Sequence, residues 1–169
     1  MTSLANSRAR AIADLAQGRI LATVEIAAPP ERVFQALASK EIVDWWVRPG
    51  VFNTTQWTGD VRVGGRWRSS GVARGAPYAL EGEFLEVDPP RRLVHTWRRV
   101  GAPGAPTTVT YELERLDGGT RITLEHKGFD IRDACASVSD GWETAFARLA
   151  ELLAKNRRPP GSAGVAVEV

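Results

Sequence analysis

The stretch SDGWETAFARLAELLAKN, residues 139–156, is the longest part of the chain with unbroken helical periodicity. Its large apolar side chains recur every three or four residues, which places them on one face of an amphipathic α-helix. They are Trp142, Phe146, Leu149 and Leu153. Asp140, with Glu143 three residues later, matches a capping box and predicts that the helix begins there. A helix with so large an apolar face is stable only when that face packs against another layer.

The residues before this helix alternate between polar and apolar types, which predicts that the other layer is a β-sheet. We expect one strand at residues 19–27 and then two short helices, the first opened by Pro29-Pro30 and the second running from Ser39 to Trp46. Six strands, separated by turns rich in Gly, Pro and Asp, follow between residues 55 and 127. This order predicts an α+β fold, in which a curved antiparallel sheet of six to seven strands wraps the long helix and leaves a cleft.

A length of 169 residues predicts a single folded unit, which we expect to span residues 19–156. Residues 1–18 form an N-terminal arm. Leu4, Ile12 and Leu15 allow a short helix there, and a loosely docked terminus is the alternative. Residues 157–169 are rich in Pro, Gly and Ala, so we expect a disordered tail.

Charge and composition argue against several classes of protein. Lys and Arg number 22 against 20 Asp and Glu, a net charge of +2, which does not indicate a nucleic-acid partner. The chain has one cysteine, Cys135, so it has no disulfide framework. The first residues lack the apolar core of a secretion signal, and no apolar run is long enough to span a membrane. We therefore expect a cytoplasmic protein.

Aromatic side chains are the main candidates for a binding site, since six of the residues are tryptophan. Strand parity and helix periodicity direct several of them, together with one histidine, toward the predicted cleft. The candidate ligand-binding residues are Trp46, Trp57, Trp67, His95, Trp97, Tyr111, Trp142 and Phe146. Trp142 and Phe146 would form one wall, the sheet residues the other, and Trp46 the mouth. The competing interpretation is a core filled by large side chains that contact no ligand.

The two histidines, His95 and His126, both point inward if the strand parities hold. Counting along the hairpins places His95 near Glu112 and His126 near Val109. The sequence supplies no evident third ligand, so we expect no metal site. His95 could hydrogen-bond a ligand or act as an acid or base, and the alternative is a core histidine with satisfied hydrogen bonds.

Five motifs occur in the order of a known family. They are Ala28-Pro-Pro-Glu-Arg-Val-Phe34, Trp45-Trp46 with Pro49, Asp60-Val-Arg-Val-Gly-Gly-Arg-Trp67, Asp88-Pro-Pro-Arg-Arg-Leu93 leading to Thr96-Trp97, and Gly141-Trp142 ahead of Leu149 and Leu152. Together they resemble the START-like (SRPBCC) superfamily, and within it the branch named after the C-terminal domain of the heat-shock-chaperone ATPase activator. The resemblance covers residues 19–156. It implies the helix-grip fold, with a cavity between the long helix and the sheet that different members use for lipids, hormones or polyketides.

The resemblance also implies co-chaperone activity in the founding members of the branch, which carry an additional N-terminal domain for chaperone contact. Only about eighteen residues precede the first predicted strand here, so we do not expect a chaperone partner.

The sequence therefore predicts a protein that binds a small hydrophobic or amphipathic molecule, such as a lipid, in an aromatic-lined cavity and without a cofactor. Two alternatives stay open. The cavity could belong to an enzyme of the cyclase, dehydratase or hydrolase type with His95 as general acid or base. The domain could also be a chaperone-accessory interaction module.

Overall fold

The computed structural model describes residues 8–155, with the side chain of Lys155 excepted. Within that range it contains nine strands and three helices. In chain order they are β1 Arg10–Asp14, β2 Arg19–Ile26, α1 Pro30–Leu37, α2 Ile42–Trp45, β3 Val47–Arg48, β4 Phe52–Gly59, β5 Arg66–Ala73, β6 Ala76–Asp88, β7 Arg92–Arg99, β8 Thr107–Leu116, β9 Gly119–Lys127 and α3 Arg132–Lys155. The predicted tail at 157–169 lies outside the described residues.

All nine strands belong to one antiparallel sheet, in the order β1-β2-β9-β8-β7-β6-β5-β4-β3. Strands β4 to β9 form a meander, and β2 pairs with β9 over its whole length, from Arg19 opposite Lys127 to Ile26 opposite Thr120. Helix α3 packs against β2 and β1. The α+β fold with a curved sheet around a C-terminal helix is thus confirmed, although the sheet has nine strands in place of six to seven.

In the meander, the inward-facing residues match the alternation of polar and apolar residues in the sequence. Val109, Tyr111 and Leu113 of β8 are buried, and Ile122, Leu124 and His126 of β9 are completely buried. The opposite face of the sheet carries ion pairs. Arg121, for example, contacts Glu25 at 2.7 Å and Glu114 at 3.1 Å. One face of the sheet is therefore dry and the other is charged and wet, as one-sided alternation predicts.

The predicted position of His95 beside Glu112 is wrong. His95 lies opposite Val109, and Val109 lies opposite His126, so the two histidines share one row across three strands. The register of β7 against β8 differs because the pairing stops at Trp97 opposite Thr107. Pro106 directly precedes Thr107 and lacks the backbone N–H that the ladder would need to continue.

Helix α3 begins at Arg132, so the capping box predicted at Asp140 is wrong. Asp140 is an exposed residue inside the helix. Asp133 lies in the first turn, where a carboxylate interacts favourably with the helix dipole. The predicted packing face is confirmed, because all four of its large residues are fully buried: Trp142, Phe146, Leu149 and Leu153.

The N-terminal arm is a strand at Arg10–Asp14, so its interpretation as a short helix is wrong for these residues, while Leu4 lies outside the described part of the chain. Strand β1 pairs with β2, and Ala11 and Ala13 pack against the core. Pairing with the open edge of β2 satisfies the backbone of the arm, and this tertiary contact outweighs the helix propensity of its alanines.

Candidate ligand-binding site

Two cavities lie within the curve of the sheet and differ greatly in size. The inner pouch, between the sheet and the helices, has a volume of about 30 Å³. The outer hollow opens beside the first turns of α3 and has a volume of about 440 Å³. Because about 10–15 Å³ of such space suffices to hold one water molecule, the inner pouch has room for only a few waters. The outer hollow is large enough for an organic molecule.

Seven of the eight candidate residues line one or both cavities. Five line the inner pouch alone: Trp57, Trp67, His95, Tyr111 and Trp142. Trp46 and Trp97 line both cavities. Phe146 lines neither, because it is fully buried behind Trp142, with 5.5 Å between the ring centroids.

Trp46 and Trp97 separate the two cavities. Their rings meet edge to face with centroids 5.2 Å apart, and Leu80 also lines both spaces. Both indoles contact Trp142 as well, at centroid distances of 4.7 Å and 5.6 Å. Trp46 is therefore not at the outer mouth but forms a partition inside the protein, where it is 6 % exposed.

A buried hydrogen-bond chain fixes Trp142. Its indole N–H donates to His126 Nδ1 at 3.0 Å, so the proton of the neutral imidazole is on Nε2. Nε2 donates to Thr107 Oγ1 at 2.7 Å, and the Thr107 hydroxyl donates to the Trp97 carbonyl oxygen at 2.9 Å. Burial, with a smaller effect of His95, lowers the pKa of His126 well below its usual value. His126 is thus a core histidine whose two nitrogens are both satisfied.

His95 lies in a different environment. Its Nδ1 is 2.8 Å from the Thr96 carbonyl oxygen, which can only accept, so Nδ1 carries the proton and Nε2 is an acceptor. Burial lowers the pKa of His95 to about 4, against the opposing effect of that hydrogen bond. Within residues 8–155, neither His95 Nε2 nor the Tyr111 hydroxyl has a protein hydrogen-bond partner. Both groups line the inner pouch, so they are free to bind a water molecule or a ligand atom.

The outer hollow has an apolar wall and a polar rim. The apolar wall consists of Trp46, Phe52, Leu80, Trp97, Phe129 and Val138. The polar and charged residues that line the hollow include Arg74, Tyr78, Arg98, Arg99, Thr107, Asp130 and Ser137. The Tyr78 hydroxyl lies 3.5 Å from Thr54 Oγ1, and burial raises its pKa, so it stays protonated and can donate. An apolar wall with a few polar groups is typical of sites for small organic molecules.

Comparison with protein families adds an independent observation. The model of the family described as Activator of Hsp90 ATPase homolog 1-like protein matches residues 27–154. The chain belongs to this family. Its resemblance to the START-like superfamily and to the branch named after the chaperone activator is thereby confirmed.

Several solved structures resemble this member of the Hsp90-activator-like family over most of their length. Protein Ms6760 from Mycobacterium smegmatis is 26% identical, with a TM-score of 0.71 over 87% of this chain and 98% of its own. Protein CV1439 from Chromobacterium violaceum is 28% identical, with a TM-score of 0.68 over 80% and 96%. Protein NE0264 from Nitrosomonas europaea is 25% identical, with a TM-score of 0.70 over 84% and 97%. No curated protein matches the chain.

Sequence reasoning missed most of the outer hollow of this family member. Phe52, Tyr78, Arg99 and Phe129 line it and were not predicted. Two of them carried a usable signal, since Arg99 has the parity of the inward-facing Trp97, and Tyr78 has that of Leu80. The other two lie at the start of β4 and in the loop before α3, where no alternation exists to assign a direction.

The described part of the chain lacks a candidate metal site and a candidate membrane-spanning helix. No group of three or more His, Cys, Asp and Glu side chains there could hold a metal ion. The helices found between residues 8 and 155 include none with the length and apolar character needed to cross a membrane.

Proposed function

We propose that this protein binds a small apolar or amphipathic molecule in the outer hollow. The observation that carries the proposal is the volume of about 440 Å³ beside an aromatic wall, within the range of roughly 300–1,000 Å³ usual for ligand pockets. Planar rings such as those of Trp46, Phe52 and Trp97 offer stacking surfaces to an apolar molecule. The family assignment supports a cavity-type binding domain and leaves the ligand open.

The inner pouch takes part only if the partition moves. It has room for only a few water molecules while Trp46 and Trp97 keep their positions, whereas the outer hollow can admit a ligand without such movement. We therefore propose that the ligand binds in the outer hollow and that the side chains around the inner pouch form a rigid support next to it. The hydrogen bond from Trp142 to His126 supports this rigidity.

Filling the hollow should abolish binding. Ser137 is an exposed α3 residue that lines the hollow, and Ser137→Trp places an indole in the space. The neutral fluorescent probe N-phenyl-1-naphthylamine should bind the unmodified protein and brighten, because its emission rises in apolar surroundings. We expect the variant to raise the dissociation constant at least about tenfold, since the indole and the probe cannot share the space.

Glu151→Trp is the matched control, because Glu151 is exposed on the same helix and does not line the hollow. It should leave probe binding unchanged. Equal binding by both variants and the unmodified protein would place the probe elsewhere and contradict the proposal.

Catalysis in the inner pouch is a second candidate function. It is favoured by the unpaired His95 Nε2 and Tyr111 hydroxyl, which face the same small space with ring centroids 5.9 Å apart. With a pKa of about 4, His95 would be a base rather than an acid at neutral pH. A substrate could reach it only after Trp46 and Trp97 move apart. A chaperone-accessory role rests on the family description alone, and no contact in the described residues favours it.

A further inference from the structure

The outer hollow has an excess of positive charge at its rim. Arg74, Arg98 and Arg99 line it, and Asp130 is the one carboxylate among the described lining residues. Arg98 donates from Nη2 to the Ala102 carbonyl oxygen and so supports the loop between β7 and β8. Arg98 Nε is buried without a hydrogen-bond partner in the described part of the chain. The guanidinium groups of Arg74 and Arg99 make no hydrogen bond within residues 8–155, so they are available to a ligand.

Arg99 ends the inward-facing row of β7, which begins with Leu93, His95 and Trp97. It lies opposite the buried Leu80 of β6. Its charge acts on the Tyr78 hydroxyl, where it partly offsets the effect of burial on the pKa of that group. The Arg99 guanidinium and the Tyr78 hydroxyl are thus two neighbouring donors at the edge of an apolar space.

Some arginines on the outer face of the sheet pair with carboxylates, whereas two arginines at the rim of the outer hollow do not. On the outer face, Arg92 pairs with Glu86 and Glu112, and Arg121 pairs with Glu25 and Glu114. Between residues 8 and 155, Arg74 and Arg99 form no ion pair. A guanidinium has five donors in a planar fork that matches an anionic oxygen group, so Arg74 and Arg99 can bind such a group of a ligand.

We infer that the ligand is a small organic acid with an apolar, ring-bearing body and one anionic oxygen group. This inference rests on the proposed function and specifies its ligand class. The rings lie against Trp46, Trp97 and Phe129, and the anionic group accepts hydrogen bonds from Arg99 and the Tyr78 hydroxyl. Arg74, on the turn between β5 and β6, also lines the hollow and adds electrostatic attraction.

Two fluorescent probes with the same ring body test the inference. N-phenyl-1-naphthylamine is neutral, and 8-anilinonaphthalene-1-sulfonate carries one sulfonate on the same skeleton. Both are titrated into the full-length protein and into Arg99→Gln. We expect the variant to raise the dissociation constant of the sulfonate probe about tenfold, the loss expected for one exposed charge-assisted hydrogen bond, and that of the neutral probe less than about twofold.

Arg68→Gln is the matched control, because Arg68 is exposed on β5 and does not line the hollow. This variant should bind both probes as tightly as the unmodified protein does. A higher salt concentration tests the inference without any substitution. It should weaken binding of the sulfonate probe and leave binding of the neutral probe unchanged.

The outcomes separate the two proposals. The inference is wrong if both probes bind and Arg99→Gln changes the affinity for neither. It is also wrong if Arg68→Gln weakens binding of the sulfonate probe as much as Arg99→Gln does. In both cases the proposed function stands. If neither probe binds the unmodified protein, both fail.

Discussion

His95 and His126 show how one residue type acquires two roles from its neighbours. They lie two strands apart in a single row, with Val109 between them. His126 has both ring nitrogens occupied and holds Trp142 in place. His95 has one nitrogen occupied and presents the other to the inner pouch. Sequence parity could place both histidines inward but could not distinguish them, because the difference depends on Thr107 and Trp142.

The buried histidines predict that stability falls in mild acid. Both have a lowered pKa in the folded protein, and in the unfolded chain their pKa returns to about 6.5. Below that pH the unfolded chain binds more protons than the folded one, so the free energy of unfolding decreases as the pH falls, for His95 down to about 4. For His95 we expect a loss of about 2 kcal/mol between about pH 7 and pH 5, and His126 adds a further loss in the same direction.

Urea unfolding at half-unit pH intervals measures this loss. The variant His95→Gln removes one of the two groups and should make the free energy of unfolding depend less steeply on pH. A free energy of unfolding that does not change between pH 7 and pH 5 would show that folding does not lower the pKa of these histidines, which would contradict their burial as neutral groups.

Within the secondary-structure elements, two glycines differ in how much space a side chain would have. Gly141 lies inside α3, and a Cβ there would be 3.4 Å from Phe52 Cε2 and 3.6 Å from Trp46 Cη2, which is ordinary contact. Gly82 lies in β6, and a Cβ there would be 1.9 Å from the Thr96 carbonyl oxygen and 2.4 Å from Trp67 Nε1. The first position has room for a methyl group and the second has none.

Alanine should therefore have opposite effects at the two positions. We expect Gly141→Ala to raise the free energy of unfolding by about 0.5–1 kcal/mol, the usual gain for this change inside a helix. Gly82→Ala should lower it by about 2 kcal/mol or more, because the backbone of β7 must shift. Denaturant titrations of the two variants measure both effects. A destabilising Gly141→Ala or a neutral Gly82→Ala would contradict the packing described.

The elements that the sequence predicted best are those with strict alternation. Strands β8 and β9 follow a two-residue period, and their predicted inward residues are buried. Strand β1 and the first two turns of α3 were mispredicted because their structure depends on distant partners. Strand β1 needs the edge of β2, and α3 starts at Arg132, before the capping box at Asp140 and Glu143 that had suggested a later start.

For the molecule as a whole, the curvature of the sheet determines where a ligand can bind. Pairing of β2 with β9 joins the start of the fold to its end, and α3 then covers the inner face. The indoles of Trp46, Trp97 and Trp142 fill most of the covered space and leave the inner pouch. The larger space remains at the open end of the curve, beside the first turns of α3.

The candidate site was predictable in its composition but not in its position. The sequence identified the aromatic residues that face the helix, and most of them line the inner pouch or the partition. It could not give the free volume, because volume depends on how bulky side chains fill the space between elements. The outer hollow is formed largely by turns and strand ends, among them Phe129 and the loop at Ala102, whose positions depend on the curvature of the whole sheet.

A crystal structure of the protein with bound N-phenyl-1-naphthylamine tests the central claim most directly. Since the outer hollow is preformed, we predict density for the probe between Trp97, Phe129 and α3, with the partition of Trp46 and Trp97 unchanged. Density on the outer face of the sheet, or a hollow that is closed by its own side chains and free of probe, would contradict the account.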